Sequence, residues 1–110
     1  MEKKGPGHRP GRRLRVIKAL IASRRYNYSK KVQLFIEEGD FDVEDLEHCV
    51  MSAGVIHKVE PDELCTAVDG CKYTILGVDS QGCAFYTCGK LIRDEASDTL
   101  YFFISAHEQQ

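Results

Sequence analysis

Apolar positions change their spacing halfway along this chain. Up to about residue 53 they recur every three or four residues, the period of a helix burying one face. Beyond residue 55 they alternate, the period of a strand. In the first half Leu14, Val16, Ile17, Leu20 and Ile21 form one stripe and predict a helix over Arg12–Arg24, with Arg12, Arg15 and Lys18 on its other side. Tyr26-Asn27-Tyr28 breaks that pattern. Ser29 is placed to cap a second helix that turns Val32, Phe35 and Ile36 inward and stops before Gly39. Asp42, with Asp45 three residues on, predicts a capped third helix that buries Val43, Leu46, Val50 and Ala53 and ends at Gly54.

The second half reads as strands. Val55–Glu60 alternates and is stopped by Pro61; a loop over Asp62–Gly70 follows. Cys71–Val78, Cys83–Ile92 and Thr99–His107 are rich in Tyr, Phe, Ile, Thr and Val and are parted by Asp79-Ser80-Gln81-Gly82 and Arg93–Asp98, the pattern of an antiparallel meander. Alternation puts Tyr73, Ile75 and Gly77 on one face, and Phe85, Thr87, Gly89 and Leu91 opposite Ala84, Tyr86, Cys88 and Lys90. In the last strand Leu100, Phe102, Ile104 and Ala106 are expected inside, and Tyr101, Phe103, Ser105 and His107 outside. The expectation is an α+β fold: two or three N-terminal helices packed on a four-stranded antiparallel sheet. Residues 12–110 form its single domain, behind a flexible basic arm at 1–11.

Charge adds what periodicity does not show. The net charge of −2 hides eleven Lys/Arg against one acid in residues 1–31, and four against sixteen in the remainder. Such a dipole along the chain points to a polyanion or an acidic partner at the basic end. Arg12, Arg15, Lys18, Arg24, Arg25, Lys30 and Lys31 are the expected RNA-contacting cations, with Tyr26 and Tyr28 beside them able to stack on bases or simply to pack on a helix end. No run is long and apolar enough for a membrane span or a signal peptide, so a cytoplasmic protein without membrane contact is expected. Five cysteines at 49, 65, 71, 83 and 88 form no close pair of the zinc type; they read as reduced thiols rather than a disulfide set or a redox pair.

Sequence motifs for nucleotide-binding loops, zinc proteases and serine hydrolases are absent, and the histidines at 8, 48, 57 and 107 are scattered. No cofactor or metal is expected. The outer face of the meander displays Tyr86, Lys90, Tyr101 and His107, with Lys72 beside them. Metal-free RNA cleavage needs a base for the 2′-hydroxyl, a cation at the phosphate and an acid for the leaving oxygen. His107 suits base or acid, Lys90 or Lys72 the cation, and Tyr86 or Tyr101 a stacking platform or proton donor. Equally, a half-exposed sheet face commonly carries such residues without chemistry.

The order of elements resembles that of the RelE-like bacterial toxins, including the MqsR group. More specifically, Ser29–Gly39, Phe41-Asp42-Val43-Glu44-Asp45-Leu46, Gly54-Val55-Ile56 and Leu76-Gly77-Val78-Asp79-Ser80-Gln81-Gly82 resemble a family of small bacterial proteins encoded beside zinc-finger antitoxins of the MqsA/YgiT type. Where that family has His and Arg in its first helix, this chain has Lys31 and Phe35. The resemblance implies a RelE/barnase-like fold and the toxin of a type II toxin–antitoxin system, a metal-independent mRNA endoribonuclease held by an acidic or zinc-finger antitoxin. The competing expectation is a non-catalytic module that binds nucleic acid or protein through the basic N-terminal helix. An exposed strand edge would also allow a homodimer.

Overall fold

A computed structural model describes residues 11–108. The chain forms α1 (Arg12–Ala22), β1 (Tyr26–Tyr28), α2 (Lys30–Glu37), α3 (Val43–Ser52), β2 (Lys58–Pro61), β3 (Cys71–Val78), β4 (Ala84–Arg93) and β5 (Thr99–Glu108). This is an α+β arrangement, but the sheet has five strands rather than four and is mixed rather than antiparallel. Its order is β1-β5-β4-β3-β2, with β1 parallel to β5 and every other pair antiparallel. The expected arm at residues 1–11 falls almost wholly outside the described residues.

The helix signals act as their chemistry predicts. Ser29 accepts the Val32 amide at 3.2 Å, and Asp42 and Asp45 form the reciprocal capping box. Gly39 closes α2 with φ +85°. α3 ends at Ser52, before Gly54, because Ala53 is already extended. After α1 the chain reverses through Arg24, whose φ of +64° is left-handed, and enters β1. There the Tyr101 amide donates to Arg25 O (3.1 Å) and the Ser29 amide to Phe103 O (3.0 Å). The tripeptide expected only to break a helix is therefore an edge strand.

α1 and α3 cover one face of the sheet, α3 over β3 and β4 and α1 against α3 and β5. Leu14, Ile17, Val32, Leu46, Cys49, Val50, Ile75, Phe85, Tyr101 and Phe103 are fully buried between the layers. The expected inward set of β5 is corrected here. Cys88 pairs with Ser105 but Gly89 with Phe103, which leaves Ile104 as an extra residue, a β-bulge. The bulge reverses the alternation along β5. Tyr101, Phe103 and Ala106 face the helices, while Phe102, Ser105 and His107 face away. Gly89 makes room for this: the Tyr101 ring lies where a side chain at 89 would be.

Candidate functional site: the uncovered face of the sheet

Among the described residues α1 and α3 lie on one face of the sheet and α2 beside β5, and on the second face strand register arranges the side chains in rows. Leu76, Tyr86 and His107 form one row; Lys58, Thr74, Cys88 and Ser105 form the next; Lys90 pairs with Phe102 in a third, and Ile92 with Leu100 in a fourth. The Tyr86 and His107 rings meet edge-on with centroids 4.1 Å apart. Lys72 alternates with the buried Tyr73 and so stands on this face. At the sheet edge, the Ser29 hydroxyl donates to Ile104 O (2.9 Å), which starts α2 beside β5 and brings Lys31 to the same region. The Cys88 thiol registers this setting: burial raises its pKa, against a Thr74 hydrogen bond and the charges of Lys72 and Lys31, while Glu60 adds to the rise. Lys58 is paired with Glu60 at 3.4 Å; Lys31 and Lys72 have no ion-pair partner among the described residues.

Of the five residues expected to form a catalytic group, the structure brings Tyr86, His107 and Lys72 to one face and withdraws two. Lys90 points to this face but is covered by the loop after β2; its ammonium sits 3.2 Å from Asp62, with both side chains almost fully buried. Tyr101 lies on the opposite side, in the core. Its hydroxyl is buried without a hydrogen-bond partner, and burial, with Cys88, Cys49 and Tyr73 nearby, pushes its pKa far up. A phenol there has no route to a substrate. Tyr101→Phe is expected to leave ligand binding unchanged and to raise stability by about 1 kcal/mol, because it removes an unsatisfied buried hydroxyl. Chemical denaturation of the two proteins measures this directly.

The described N-terminal cations do not form one surface. Arg12 and Arg15 are exposed on α1, on the helical side. Lys18 donates to Met51 O (3.1 Å), Arg24 lies 3.8 Å from Glu47, and Arg25 pairs with Asp94 (3.1 Å) while donating to Thr99 O. Arg13, which sequence reasoning did not single out, pairs with Asp69 at 3.3 Å. Tyr26 packs edge-on against Phe103 and its hydroxyl donates to Glu47; Tyr28 is half-buried on the same side. Base stacking is closed to Tyr26. Of the described N-terminal cations, Lys30 and Lys31, exposed at the start of α2, join the sheet edge.

The face is polar at one end and apolar at the other. On the helical side, by contrast, an acidic hollow at the N-terminus of α3 is lined by Asp40, Asp42, Asp45, Asp79 and Glu108. All five cysteines are free thiols, and no group of three His, Cys, Asp or Glu among the described residues is placed to hold a metal ion. Among the same residues no helix is long and apolar enough to cross a membrane. No protein-family model, curated protein or solved structure matches the chain.

Proposed function

We propose that the protein binds single-stranded RNA on the uncovered face of its sheet. The observation that carries this is the Tyr86–His107 ring pair, flanked on that face by Lys72 and Lys31. Aromatic rings accept unstacked bases, and cations one or two rows away meet the linking phosphates, the combination single-strand binders use.

A second reading, cleavage of the bound RNA, is favoured by the position of His107. It is the only imidazole in the Tyr86 row, and Lys72 supplies a cation on the same face. The feature shared with the RelE-type resemblance is the order of elements, helices before the β3–β5 meander, although the sheet has five mixed strands rather than four antiparallel ones. In that reading His107 moves the proton, Lys72 steadies the phosphate, and an acidic antitoxin covers the face.

One experiment addresses both. Titrating fluorescent single-stranded RNA should give an affinity that falls steeply with salt. Tyr86→Ala should weaken it by roughly tenfold, the worth of a stacked base, and Lys72→Glu should weaken it while flattening the salt slope. Full affinity in both variants would remove the binding site from this face. Gel analysis of the same mixtures tests cleavage. RNA cut by the wild type but not by His107→Ala supports the toxin reading, and intact RNA throughout leaves a binding module.

A further inference from the structure

The apolar end of the open face is a built groove. It has a volume of about 620 Å³ and is lined by Leu64, Thr66 and Val68 from the loop after β2 and by Lys90, Ile92 and Phe102 from the sheet. Leu64 is 77% exposed, the most exposed large apolar residue described, and Val68 is 43% exposed. A free loop carrying these side chains would fold down onto Ile92 and Phe102 to bury them. This loop is prevented from doing so. The Asp62 carboxylate accepts the amides of Thr66 (2.9 Å) and Ala67 (2.8 Å) and the Lys90 ammonium; the Val68 amide donates to Leu91 O (2.7 Å) and the Asp62 amide to Gly70 O (2.8 Å). The loop is thus held as a lip beside the sheet and the groove is preformed, as ligand sites usually are.

The chemistry of the walls selects the occupant. The walls suit a ring with apolar faces and a polar edge: Phe102 offers a ring to stack on, the Thr66 hydroxyl, which donates to Asp62 (3.4 Å), still accepts from an edge, and Arg93 lies at the border. Lys72 on β3 supplies a cation on the same face for a phosphate attached to that group. Along β4, Lys90 is four residues from Tyr86, so groove and ring pair are about 13 Å apart, within reach of one short strand. We infer that the groove takes one unstacked nucleobase of the same RNA whose neighbouring bases stack on Tyr86 and His107. The inference rests on the RNA reading above. It adds that the strand is read at one splayed base, since a paired base cannot enter.

The test compares RNA with a polyanion that has no bases. The full chain and two variants, Leu64→Ser and Phe102→Leu, are titrated with single-stranded RNA of on the order of ten nucleotides, with the same RNA as a duplex, and with heparin. Leu64 is exposed and Phe102→Leu keeps apolar bulk, so both variants should fold. The expected result is roughly tenfold weaker single-strand binding in each variant, unchanged heparin binding, and a wild type that prefers single strands. Unchanged RNA affinity in both variants would overturn the base site, leave the RNA reading standing, and open the groove to a side chain of a protein partner. Equal losses for RNA and heparin, or equal affinity of the wild type for duplex and single strand, would also overturn it. A wild type that binds no RNA at all would overturn the RNA reading and this site together.

Discussion

Gly77→Ala is expected to cost on the order of 3 kcal/mol, seen as a large fall in the urea midpoint. Gly77 lies in β3 on the side facing the helices, opposite Phe85 of β4. A Cβ at this position would run into the carbonyl oxygen of Cys49 and lie 2.7 Å from the Ser52 hydroxyl. The obstacle is backbone in the last turn of α3, so no side-chain rotation relieves it. Ser52 fastens the same contact, accepting the Val78 amide at 3.0 Å and donating to Cys49 O at 3.2 Å. Alanine must therefore lift α3 from the sheet and open the fully buried seam where the Cys49 thiol meets Ile75 O (3.6 Å) and Phe85 O (3.5 Å). Ser52→Ala is the comparison, losing only hydrogen bonding at about 1 kcal/mol. If Gly77→Ala cost no more than Ser52→Ala, α3 would not be seated on β3 in this way.

Lys90→Ala is the second large effect, with a thermal midpoint expected to fall by roughly 10 °C or more. It strands a buried carboxylate and loosens the loop that forms the lip of the groove. Lys90→Met combined with Asp62→Asn should recover much of the loss, since neither charge is then left alone. The pair also fixes a pH signature. Burial by itself would raise the Asp62 carboxyl, but the Ala67 amide, the Lys90 ammonium and the Thr66 amide outweigh it and hold its pKa down at about 2. A carboxyl lower in the folded chain than the ordinary value of ~3.9 stabilises the fold above that value. The contribution is lost as pH falls from about 4 to about 2. Acid titration of the wild type should show this loss, and the double variant should lack it.

Lys90 and Tyr101 were the two expected catalytic residues that the tertiary structure removed, for different reasons. The alternation along β4 correctly put Lys90 away from the helices. What alternation does not contain is the loop from Asp62 to Gly70, which returns over that face and neutralises the ammonium. For Tyr101 the alternation itself was broken by the extra residue at Ile104. Gly89 was the available signal: a glycine inside a strand often marks a bulge or a close approach, and here a ring occupies its place. The Tyr86–His107 pair needed no such correction, because both residues lie on the same side of the bulge.

Local chemistry alone determined the three helices and their caps, the meander of β3, β4 and β5, and the faces of β3 and β4. Each of these depends on neighbours within one turn or one strand, where periodicity and capping groups act. Contacts between distant segments decided the rest. β1 exists because three residues after α1 find the free edge of β5, a parallel pairing that no local pattern encodes. The direction of Tyr101 depends on Gly89 across the sheet, and the charge state around Lys90 on Asp62 from another loop. The sharp change of charge near residue 31 was visible in composition. Folding divided the described cations among them between the helical side, where several meet carboxylates or carbonyls, and the edge of the open face, because pairing energy depends on distance in space.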